Sequence, residues 1–66
     1  MELLILKSGQ DYIRFKDKEY LRVRLDKASV FPLDQMEVVQ QHESTLKQKG
    51  FDPVCIKKLV LREEDL

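Results

Sequence analysis

The apolar pattern of this chain changes period once, at Pro32, and that change constrains the fold more than any composition figure. Before it, the spacing suits strands. "YIRF", Tyr12 to Phe15, alternates, and so does "YLRVRL", Tyr20 to Leu25, with Leu21, Val23 and Leu25 on one side and Tyr20, Arg22 and Arg24 on the other. Leu3 to Leu6 is continuously apolar and reads, through Lys7, as a buried strand closed by "SGQD", where Gly9 suits a turn. Two alternating runs joined by the polar "KDKE" make a hairpin. Pro32 cannot donate to a sheet ladder and biases Phe31 away from helix, so the strand character ends there.

Beyond Pro32 the spacing predicts a helix to Lys49. Asp34 is suited to cap it, with Glu37 completing a D-x-x-E capping box and Leu33 and Val38 at the two positions of a hydrophobic staple. Gly50 is suited to end it, and Lys47 and Lys49 favour the negative end of the helix dipole. The run "VCIKKLVLRE" reads as a final strand, followed over 63–66 by a frayed acidic tail. The expected fold is α+β: one domain spanning 1–66, a small, mainly antiparallel sheet of three or four strands, and one helix packed on one face, in the order β-β-β-α-β.

Size and charge narrow the function. A chain of 66 residues has a core that rarely supplies more than about 3–5 kcal/mol net, and self-association is one common remedy. Cys55 is the single cysteine, so no intrachain disulfide exists, and a lone thiol fits a reducing compartment. Twelve basic and twelve acidic residues cancel, which disfavours a dedicated non-specific nucleic-acid binder. The apolar run at the start is too short to cross a membrane or serve as a signal peptide. A cytoplasmic protein with no membrane attachment is expected.

No pattern of catalytic, cofactor or metal-binding chemistry stands out. Gly-rich phosphate loops, G-x-S-x-G, H-E-x-x-H and clustered cysteines are all missing from the sequence. His42 falls on the inward helix stripe with Val38, Val39 and Leu46, and reads as a half-buried packing residue with one ring nitrogen bonded or wet. Cys55 reads as a small core residue, and Lys57 or Lys58 as a guard on a sheet edge. The expectation is a protein without enzymatic activity, cofactor or metal.

The candidate interaction surface comes from the hairpin. With Ile13, Phe15, Leu21, Val23 and Leu25 turned to the helix, Tyr12, Arg14, Tyr20, Arg22 and Arg24 share the open face. Tyrosine and arginine are enriched in protein–protein hot spots, and the same pair serves single-stranded nucleic acid through stacking and phosphate contacts. The leading expectation is a protein-interaction module that pairs with itself as a homodimer or with another protein. A nucleic-acid-binding protein using the Tyr/Arg face is the alternative.

"LLILKSGQDYIRF", then "LDKASVF" with its A-x-x-F spacing at Ala28 and Phe31, then a helix, then "CIKKLVLRE", resembles the layout of many small proteins encoded by bacteriophages and prophages. The resemblance covers most of the chain and is one of pattern, with no invariant motif, so it brings no site residues with it. It implies a bacterial or phage origin and a host-binding or self-binding role.

Overall fold

A computed structural model describes residues 1–65; the part of the expected terminal tail at Leu66 lies outside the described residues. Five strands and one helix follow the chain as β1 (Glu2–Ser8), β2 (Asp11–Lys16), β3 (Glu19–Val23), β4 (Val30–Pro32), α1 (Met36–Gln48) and β5 (Cys55–Val60). The fold is α+β, as the change of period implies. The additional strand is β4, whose three residues end at Pro32.

Strand β1 organises the sheet. Along its whole length it pairs antiparallel with β5, from Glu2 opposite Val60 to Lys7 opposite Cys55. Its other edge is shared: Leu3, Leu4 and Ile5 pair with β4, and Lys7 and Ser8 pair with β2. β2 therefore leaves β1 after its first residues, and Ser29 occupies the gap. Its backbone N–H donates to the Ile13 carbonyl (3.1 Å), and its hydroxyl accepts from the Phe15 N–H (2.9 Å).

Two tight turns set the register. Gly9, at φ +63°, opens the β1–β2 turn, where a two-residue hairpin favours glycine. Asp17 and Lys18 close the β2–β3 hairpin with φ of 52° and 62°, the double left-handed geometry of a type I′ turn. That turn puts Lys16 opposite Glu19 and Phe15 opposite Tyr20.

The core lies between the inner sheet face and α1. Leu4, Leu6 and Ile13 from the sheet meet Val39 and Leu46 from the helix, with Val54 closing one end. Two helix expectations are corrected. Leu33–Gln35 forms a separate 3-10 turn, and α1 begins at Met36 with Gln35 in the capping position and no side-chain cap bond. Asp34 thus lies one residue too early to cap, because the chain leaving Pro32 turns once more tightly before the α-helix starts. Leu33 and Val38 are each 42% exposed rather than stapled together.

The helix end matches expectation. Phe51 N–H bonds the Leu46 carbonyl (3.0 Å) and Gly50 N–H bonds the Lys47 carbonyl (3.1 Å), with Gly50 at φ +95°. This is a Schellman closure, and it delivers Phe51 to the core below Leu46.

Two substitutions test this account by urea denaturation. Leu46→Ala empties a fully buried site and costs about 2–5 kcal/mol, enough to leave much of so small a domain unfolded at 25 °C. Lys18→Gly relieves a left-handed backbone that costs a side-chain-bearing residue about 1–2 kcal/mol, and raises the midpoint.

Candidate interaction surface

Cross-strand partners share a sheet face, so the register decides where the five hairpin residues go. Tyr12 and Arg14 lie on the outer face, as expected, opposite Val23 and Leu21. Tyr20 and Arg22 do not. They pair with Phe15 and Ile13, and Ile13 is a core residue, so both project to the helix side. Arg24 stands beyond β3, before the 3-10 turn Leu25–Lys27, and Leu25 is 43% exposed rather than part of an inward row. The expected Tyr/Arg face is therefore split, because the two-residue turn sets Tyr20 and Arg22 beside Phe15 and Ile13 and turns the β3 half to the helix side.

The inward pair forms a polar seam beside the core. The Tyr20 hydroxyl and His42 Nδ1 are 2.7 Å apart; with a neutral imidazole protonated at Nε2, the hydroxyl donates. The imidazole sits among the rings of Phe15 (4.8 Å between centroids), Tyr20 (5.6 Å) and Phe31 (5.6 Å), one from each of β2, β3 and β4. His42 is thus a half-buried packing residue, but its neighbours are aromatic and Val38 turns to solvent. Arg22 donates to the buried Ser8 hydroxyl (2.9 Å) and stacks over Phe51 (4.6 Å). Burial pushes the Tyr20 phenol above its ordinary value, partly offset by the neighbouring Thr45 hydroxyl.

The outer face is the opposite in character. Reading the pairs across β4, β1 and β5 gives Pro32–Leu3–Leu59 in one row and Val30–Ile5–Lys57 in the next, and Lys7 between Tyr12 and Cys55 in a third. Val30 is 48% exposed. The helix packs on the other face. On this side segment 24–28 passes by β2 on its way from β3 to Ser29, with Arg14 donating to the Lys27 carbonyl (3.2 Å), and Ile5 is covered to 3% exposure. Lys7 lies over the Tyr12 ring (5.3 Å). Cys55 is half-buried on this face and outside the core cluster, a correction to its expected place.

The sequence held a signal for this face. A run of consecutive apolar residues, such as "LLIL", belongs to a strand buried on both sides, and one helix covers only one. The signal lies in Leu3, Ile5 and Leu59 rather than in tyrosines and arginines.

Among the described residues no group of three or more His, Cys, Asp or Glu side chains could hold a metal ion, and no helix is long and apolar enough to cross a membrane. Comparison with protein-family models, with curated proteins and with solved structures finds no match to this chain.

Raising a phenol's folded-state value above its unfolded value of about 10 favours the neutral form in the fold. That stability is complete below pH 10 and is lost as pH rises through the folded value. Tyr20→Phe should therefore cost about 1 kcal/mol at pH 8 through the lost hydrogen bond, and the gap from the parent should shrink above pH 10. Paired urea midpoints at the two ends of this range measure it.

Proposed function

We propose that the protein is a non-catalytic protein-interaction module that docks a partner on the outer face of its sheet. The observation that carries this reading is the apolar strip Leu3, Val30, Pro32 and Leu59 on the face opposite the only helix. Exposed contiguous apolar surface of this kind marks interaction sites. The layout shared with phage- and prophage-type proteins points to a host protein or another copy of the chain as the partner, and the lone thiol suits a cytoplasmic setting.

The nucleic-acid reading draws on Tyr12, Arg14, Tyr20, Arg22 and Arg24 acting together. Tyr20 and Arg22 are engaged with His42 and Ser8 on the other side of the sheet, so that reading has less to stand on.

A photo-crosslinking amino acid placed at Val30, and separately at the exposed helix position Gln41, tests the assignment in cells expressing the chain. The expected result is a discrete adduct from Val30 and none from Gln41. No adduct from Val30, or equal labelling from both, would overturn the docking surface. The adduct's mass also separates a second copy from a different protein.

A further inference from the structure

We propose that the occupant of the outer face is a second copy of this chain, packed sheet to sheet about a two-fold axis. The proposal rests on reading that face as the docking surface and names what covers it.

Three observations support a copy. The first is the missing layer. Leu3 gives β1 an apolar outer side, with Pro32 and Leu59 beside it and Val30 48% exposed next to them, while Ile5 is already covered at 3% exposure; the one α-helix among the described residues is used on the inner face. A second copy supplies the missing layer, with two twisted sheets facing each other about 10 Å apart.

The second is area. A compact monomer of 7.9 kDa exposes about 4,400 Å² by the usual scaling, whereas this chain exposes 5289 Å². The open segment 61–65 and the elongated outline, 44 Å by 23 Å by 22 Å, account for part of the excess. The whole is of the same order as the ~800 Å² that each partner contributes to a standard interface.

The third is the placement of charge. β1 and β5 are antiparallel, with Lys7 beside Cys55 at one end and Glu2 beside Val60 at the other. Outer-face cations Lys57 and Lys7 therefore run from the middle of the strip to one end, while Glu63, Glu64 and Asp65, outnumbering Arg62 and the Met1 ammonium bound at Leu61, leave from the other. A two-fold axis lying between the sheets and across the strands reverses strand direction in the second copy. It sets each acidic terminus over the partner's lysines, twice by symmetry. Parallel stacking would instead bring lysines over lysines. The pairing is isologous and closed, so it ends at a dimer.

Sedimentation equilibrium on the purified full chain tests this directly. The expected result is a mass that doubles between about 1 and 100 µM. Val30→Lys should weaken association by about tenfold or more, while Val38→Lys, a similarly exposed valine on the helix, leaves it unchanged. Lys57→Glu should weaken it, as should Glu63→Lys with Glu64→Lys, and combining them should restore it. Circular dichroism of each variant confirms the fold. A parent that stays monomeric to about 500 µM overturns the second copy, as does equal weakening by Val38→Lys. A monomer that still gives a Val30 crosslink to a different protein overturns the dimer alone and leaves the docking surface standing.

Discussion

A strand has two edges, and β1 uses both to hold three partners. β5 takes one edge completely, and β4 and β2 divide the other. Most of the fold follows from that division. Because β2 is paired with β1 only at the turn, its remaining length is free to diverge with β3 as a hairpin. Ser29 then fills the opening with two hydrogen bonds to β2, and the chain can enter β4 directly. β4 is short because Pro32 closes it, and the 3-10 turn that follows aims α1 back over the inner face. The outline is elongated, 44 Å by 23 Å by 22 Å, with the hairpin extending beyond one end of β1 and residues 61–65 following β5 at the other.

The diverging hairpin would leave a weak joint if its inner face were purely apolar and uncovered. It is held instead by polar groups with defined partners. Tyr20 reaches the helix at His42, and Arg22 reaches Ser8 at the end of β1 while its guanidinium lies on Phe51. Those bonds are made by the two side chains that a polarity rule sends to solvent. Each carries an apolar body with a polar end, so it can cover core surface and still satisfy its hydrogen bonds. No buried side-chain nitrogen or oxygen among the described residues lacks a partner, which is the condition for such a seam to stabilise rather than strain the fold.

Much of this was legible in the sequence. The change of period at Pro32 separated strands from helix, Gly50 marked the helix end, the run Leu3–Leu6 marked a buried strand, and the inward stripe held for Val39 and Leu46 but not for Val38. The orientation of β3 was not read correctly, for an identifiable reason. Alternation divides Tyr20, Arg22 and Leu21, Val23 into two sides, but only the register to β2 says which side is inward. The loop settles it: with Phe15 inward, any symmetric closure over 16–19 places Tyr20 beside it. Helix capping misled in a similar way, since D-x-x-E at Asp34 fits a cap in composition while the tight turn after Pro32 delays the helix to Met36. The outer apolar strip was half legible: "LLIL" announced a strand buried on two sides, and on the outer side Ile5 is covered (3% exposed) while Val30 beside it stays 48% exposed.

The edges of this sheet bear on how it can associate. β3, β4 and β5 each have one side without a strand partner among the described residues, and three-residue β4 is blunted by its length and by Pro32. Lys57 and Lys58 stand on β5 and Arg22 projects inward from β3, and charge on an edge strand or pointing inward from it discourages pairing with another chain. Glu2 holds Lys58 in an ion pair (3.6 Å), which keeps that charge beside the edge. The outer face is divided: Leu3, Pro32 and Leu59 make an apolar row at one end, Lys57 shares the middle row with Val30 and Ile5, and Lys7 stands at the other end. Pairing between different edges would repeat and yield filaments, whereas an isologous contact through a face closes on itself. In this chain charge guards the β3 and β5 edges and proline the β4 edge, while the row Leu3, Pro32 and Leu59 on the outer face carries no charge.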